Sequence, residues 1–168
     1  MGPDSLARRT GQPVVVARDL LRRHRQTYRQ FWLWSESIIH TARLRNSLHT
    51  VLGWRVAADE QTPERKLRNF PMQANGAEML RAACCFGLEA GVRLCAPVHD
   101  AILIEAPEPA VESAAATMVE AMRDASRAVL GGMCLRVEHK IIRYPDRFED
   151  DHPTWRLVTR LLDEIEDK

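Results

Sequence analysis

Residues 65–73, Arg65-Lys66-Leu67-Arg68-Asn69-Phe70-Pro71-Met72-Gln73, and the tripeptide Val98-His99-Asp100 decide how this chain is read. The first opens a long helical pattern and sets Arg65, Asn69 and Gln73 four residues apart, so on a helix all three polar side chains leave from one face. The second lies between two apolar runs, where a tight strand-to-strand turn would hold one imidazole and one carboxylate in position.

Working outward, the helical period runs from Glu64 to Ala90, with Pro71 accommodated early and Gly91 as the stop. Two strands are expected at 93–98 and 101–106, joined through His99-Asp100. A helix from Pro109 to about Leu130 follows, facing the sheet through Val111, Met118, Val119, Met122 and Val129, and Gly131-Gly132 ends it. Residues 134–142 alternate in polarity and read as a further strand of the same sheet. Upstream, residues 5–10 make a short helix and Gly11-Gln12-Pro13 breaks it. Val14 to Arg45 is helical, with Leu20, Leu21, Tyr28, Phe31, Trp32, Ile38 and Ile39 as its apolar stripe and a bend near Tyr28. Leu48 to Val56 reads as a hairpin turning at Gly53, and Ala57 to Pro63 as a polar loop. Asp150 is an N-cap candidate for an amphipathic helix from Thr154 to Ile165, which ends acidic. This succession describes an α+β fold, an antiparallel sheet covered on one face by helices and preceded by a mostly helical segment. The expected segments are 1–58, 59–150 and 151–168.

With 168 residues, 45% of them apolar, the chain is long enough to bury a real core. It carries neither an apolar run of bilayer-spanning length nor a basic-then-apolar leader, so a cytoplasmic protein with no membrane partner is expected. Cys84, Cys85, Cys95 and Cys134 form no C-x-x-C pair, and three lie in apolar patterns, which predicts reduced, buried thiols. The net charge of +1 conceals an asymmetry: residues 1–58 hold ten arginines against Asp4, Asp19 and Glu36, whereas the remaining 110 residues hold 14 basic and 20 acidic groups. A basic segment ahead of an acidic one suits a polyanion lying across the first part, and an arginine-rich solvated helix is the other reading.

Phosphoryl transfer by polymerases uses two divalent ions held by carboxylates on rigid strands. Asp100 at a hairpin apex would supply half of such a site, although aspartate is also an ordinary turn residue. His99 could contact a sugar or phosphate, move a proton, or simply occupy the turn. The amides of Asn69 and Gln73 could reach the minor-groove acceptors common to all base pairs while Arg65 holds a phosphate; otherwise the face is merely solvated.

The order of these pieces resembles the family A DNA polymerases, the DNA polymerase I family. Arg65, Asn69, Pro71 and Gln73 match that family's palm-helix pattern Arg-x-x-x-Asn-x-Pro-x-Gln, and Ala77-Glu78-Met79-Leu80 continues it. Val98-His99-Asp100 resembles motif C. Leu6-Ala7-Arg8-Arg9, the helix through Arg45, and Thr50-Val51-Leu52-Gly53-Trp54-Arg55 resemble the fingers helices and the Thr-x-x-Gly-Arg-Arg turn, so the likeness covers residues 1 to about 150. It implies fingers-derived helices and a hairpin in 1–58, a palm in 59–150 and an acidic tail in 151–168. It further implies Asp100 as a catalytic Mg2+ ligand in a two-ion site, His99 at the primer terminus, and Arg65, Asn69, Gln73 and Arg55 on the DNA. Primer-template DNA and a dNTP would be the partners.

Two departures stand out. Ala101 replaces the family's usual glutamate after His-Asp, and Pro97 replaces the glutamine before Val-His. The metal-binding aspartate of motif A and the nucleotide-gripping helix of motif B have no counterpart here, and Met1-Gly2 resembles the residues just after motif B. The expectation is therefore a carboxy-terminal polymerase piece, inactive alone, whose partner is an amino-terminal polymerase fragment. A non-catalytic DNA-binding module and an inert fragment are the alternatives. If the palm reading holds, Gln73 and His99 point into one groove.

Overall fold

A computed structural model describes residues 2–146 and 153–166. In chain order it contains α1 (Pro3–Thr10), α2 (Val14–Thr27), α3 (Arg29–Arg45), β1 (Ser47–His49), β2 (Arg55–Ala57), α4 (Glu64–Glu89), β3 (Arg93–Val98), β4 (Ala101–Glu105), a 3-10 turn (Glu108–Ala110), α5 (Val111–Val129) and α6 (Pro153–Glu166). The fold class is α+β, with two small antiparallel sheets, β1-β2 and β3-β4. The chain divides into two compact units, Met1–Met79 and Leu80–Lys168, with the division inside α4.

In the first unit, Gly11 ends α1 in the left-handed region at φ 65°, and Pro13 stands at the start of α2, so the Gly-x-Pro break acts as its chemistry requires. The helix expected over 14–45 parts at Tyr28, whose ψ of 46° lies outside the helical range. Asn46, at φ 49°, closes α3, and the chain turns directly into β1. Ser47 pairs with Ala57 and His49 with Arg55, with Gly53 at φ 94° in the connecting turn. Ile38, Ile39 and Ala42 of α3, Leu48 of β1, Ala58, and Leu67 of α4 form the core, and Val56 and Phe70 pack against it.

In the second unit, Ala83, Val92, Met118, Ala121 and Ala125 form the core. Leu94 of β3, Ile102 and Ile104 of β4, and Met122 pack onto it. Helix α5 therefore covers one face of the β3-β4 hairpin, as the period-two alternation of β4 demands. Of the five side chains expected on its inner face, Met118 and Val129 are buried and Val111, Val119 and Met122 half-buried. A Cβ on Gly87 would stand 2.8 Å from the Met118 sulfur, so glycine there permits a close approach to α5.

Two expectations are corrected. Residues 134–142 form no strand: a ladder needs a partner's N–H and C=O groups, and β3 and β4 pair only with each other. The segment is instead tethered where Leu135 N–H donates to Ser126 Oγ at 3.0 Å. Nor are the thiols buried as a set; all four are free, but Cys85, Cys95 and Cys134 are exposed and only Cys84 is partly covered, its pKa raised by burial and then by neighbouring Cys85. The N-cap candidate Asp150 lies outside the described residues.

Candidate functional site

The hairpin tip is built by a two-residue turn. Val98 pairs with Ala101, which leaves His99 and Asp100 as the two central turn residues. His99 has φ 57°, whereas Asp100 is not among the positive-φ residues, the sign pattern of a type II′ turn, whose first central position normally takes glycine. An imidazole-bearing residue there holds stored strain, about 1–3 kcal/mol. Both side chains are exposed, and Asp100 makes no ion pair among the described residues.

A β-bulge aims this turn. Leu94 pairs with Ile104 and Ala96 with Leu103, so Cys95 is the extra residue. The inserted residue shifts parity, placing Leu94 opposite Ile104 and Pro97 opposite Ile102, both against the covered-face residues of β4. Pro97 thus stands in an irregular strand with a free edge, the setting its missing N–H demands. Arg93 closes the hairpin's base through a 2.7 Å ion pair with Glu105.

The second constellation belongs to the first unit. Arg65, Asn69 and Gln73 are all exposed on α4, while Leu67 and Ala74 on its other side are buried. The four-residue spacing thus brings the three polar groups together in one row. Arg68, between them in sequence, faces inward: its Nη1 donates to Ser35 Oγ at 2.7 Å and its guanidinium lies 5.9 Å from the Trp32 ring. Arg55, also exposed, opens β2. His99 and Asp100 belong to the second unit, so the sequence-predicted residues fall into two groups, each coherent by itself.

The sequence reading gave no role to two further residues, Glu78 and Asn75, which fix the turn leading to Arg55. Glu78 is 1% exposed; Thr50 Oγ1 donates to its Oε1 at 2.6 Å and Leu52 N–H to its Oε2 at 3.1 Å. Val51 N–H donates to Asn75 Oδ1 at 3.1 Å, and Asn75 Nδ2 returns a bond to the carbonyl of Pro71 at 2.8 Å. Thr50 in turn accepts from Trp54 N–H at 2.8 Å. The available signal was the position of Glu78: it continues the Leu67, Ala74 stripe, and a carboxylate on a buried stripe must find donors.

No protein-family model matches the chain. It is 28% identical over 138 residues to the thermostable DNA polymerase I of Thermus caldophilus and 25% identical over 135 residues to that of Thermus aquaticus, which covers 74% and 73% of this chain respectively. Among solved structures, the POL domain of Pol1 from M. smegmatis, in complex with DNA primer-template and dNTP, superposes with a TM-score of 0.67 at 22% identity over 74% of this chain. The chain shares its fold with part of a DNA polymerase I. The resemblance to family A polymerases is thereby borne out in sequence and in fold. The chain spans about 16% of the length of these two Thermus relatives and 24% of the solved polymerase chain.

A two-ion site needs several ligands, and among the described residues no group of three or more His, Cys, Asp or Glu side chains is gathered. Asp100 alone does not fit a pair of Mg2+ ions, because each ion would lack most of its protein oxygens. No helix among the described residues is long and apolar enough to cross a membrane.

Proposed function

We propose that this chain supplies the motif C turn and the minor-groove helix of a template-directed DNA polymerase. It does not incorporate nucleotides by itself. Asp100 is one of the carboxylates that hold catalytic Mg2+. The other comes from a polypeptide segment bearing motif A, and motif B supplies the grip on the dNTP. His99 meets the primer terminus. Arg65, Asn69 and Gln73, with Arg55, track the duplex.

The observation that carries the reading is the turn itself. An exposed Asp100, with no ion pair among the described residues, follows a histidine held at φ 57° at the tip of a bulged hairpin. Strain of this kind is kept where a side chain must be presented at one fixed place. The similarity to DNA polymerase I across about three quarters of the chain supports the same reading.

Primer extension tests it. The 168-residue chain alone should give no template-dependent product with Mg2+. Adding a polypeptide that carries motifs A and B should give product, and Asp100→Asn should then remove nearly all of it, since the amide keeps the shape and loses the charge that draws a cation. Extension by the chain alone, or full activity of Asp100→Asn, would overturn the assignment.

A further inference from the structure

Helix α6 (Pro153–Glu166) lies beyond residues 1 to about 150, over which the resemblance to family A polymerases runs. Trp155, Val158, Leu162 and Ile165 stand at spacings of three, four and three, the seam of a short coiled coil, and Leu157 and Leu161 widen it. On an ordinary surface helix such a stripe faces a core. Here the six side chains are between 38% and 69% exposed, and none of them belongs to either hydrophobic core. A helix of 14 residues is marginal in water without packing, so this apolar face calls for a cover.

The charges indicate what that cover is. Arg156 and Arg160 lie in the first half of α6 and Asp163 and Glu164 in the second, with no acid in the first turn and no base in the last to offset them. That order opposes the helix dipole, which is positive at the amino-terminal end and negative at the carboxy-terminal end. Arg160 does reach Glu164 at 3.9 Å, but with the base ahead of the acid, the weaker order for such a pair. A second α6 laid antiparallel reverses each disadvantage: its acids come beside these arginines, its arginines come beside these acids, and the two dipoles oppose. A parallel copy would set like charge on like. An anionic membrane surface does not suit the helix, because residues 153–168 carry four acidic groups against three basic ones.

We propose that α6 is a self-association surface, on which two copies of the chain pair through an antiparallel helix contact. Two helices of about 21 Å bury less than the roughly 1,200 Å2 of a standard interface, so the dimer is weak and exchanges with monomer. It does not depend on the polymerase reading.

The test is sedimentation velocity of the full chain from about 5 to about 500 μM, a range that brackets the dissociation constant of a weak dimer. The chain should pass from monomer to dimer within it, and added salt should weaken the dimer, since opposite charges attract across an antiparallel contact. Arg156→Glu with Arg160→Glu should weaken self-association about tenfold or more, and Asp163→Lys with Glu164→Lys should do the same. Both changes suit the helix dipole, so circular dichroism should show no loss of helix. An equimolar mixture of the two variants should restore the dimer, because each supplies the charge that the other lacks. Val158→Asp with Leu162→Asp should abolish it. A chain that stays monomeric at the highest concentration would overturn the proposal, as would a mixture that fails to restore the dimer. A dimer that salt strengthens, or that the arginine variant forms unchanged, would also overturn it, since like charges would then face each other in a parallel pair. Survival of the dimer in Val158→Asp with Leu162→Asp would place the contact on another surface and overturn it too.

Discussion

His99 carries a conflict between local preference and position. The left-handed region costs a residue with a side chain about 1–2 kcal/mol, while glycine enters it freely but loses about 0.5–1 kcal/mol in chain entropy. His99→Gly should therefore raise the stability of the protein slightly, by about 0.5–1 kcal/mol, while lowering primer extension in the complemented assay. His99→Ala should lower extension to the same extent and leave stability unchanged, because alanine retains the strained backbone. Urea denaturation of the three proteins side by side checks both halves. A stabilised His99→Gly with full activity would make the histidine a turn residue and nothing more. Sequence alone placed His99 and Asp100 at a turn, because the apolar runs on either side bounded it. Its handedness was not legible, since histidine offers no sign of a positive φ, whereas Gly53 and Gly91 do.

The turn before Arg55 shows how an element depends on a distant one. Glu78 on α4 accepts from the Thr50 hydroxyl and the Leu52 N–H, so Glu78→Ala leaves two donors without that acceptor, at about 1–3 kcal/mol each. We expect Glu78→Ala to lose about 2–4 kcal/mol in urea unfolding, and Glu78→Gln less, because the amide keeps one acceptor oxygen. Duplex binding through Arg55 should weaken in Glu78→Ala although the substitution removes no DNA contact. What was legible among the elements follows from where each obtains its partners. The β3-β4 hairpin and α4 satisfy their own backbone groups locally, and their periods, with Gly91 and Pro71 as punctuation, declared them. Residues 134–142 alternate just as convincingly, but their pairing would have to come from another strand, and alternation cannot supply one. The role of Glu78 escaped for a similar reason, since its partners lie 28 and 26 residues away. Cys95 misled because it falls at the bulge of a two-stranded sheet that buries one face only, whereas Cys85 lies on an exposed position of α4 and Cys134 in no strand.

Charge is distributed along the whole chain in a way that bears on what it binds, with ten arginines against three acids in residues 1–58 and an acidic excess beyond them. Arg65, Asn69, Gln73 and Arg55 all lie in the unit that contains this basic segment, and the two chemistries among them should separate by salt. On a duplex, each arginine that neutralises a phosphate contributes about 0.9 to the slope of log affinity against log salt, through released counterions. Arg65→Gln should therefore reduce that slope by about 0.9. Asn69→Ala and Gln73→Ala should lower affinity by a similar factor at every salt concentration and leave the slope unchanged, because amides meet groove acceptors rather than phosphates. The losses should be equal on duplexes of different sequence, since minor-groove acceptors are shared by all base pairs. Titrating each variant into two unrelated duplexes at several salt concentrations checks all of this. If the slope is flat, the arginines do not reach phosphate. If Gln73→Ala weakens binding to one sequence and not the other, the face reads bases, and a polymerase-type groove, which must accept every sequence it copies, is the wrong assignment for this row.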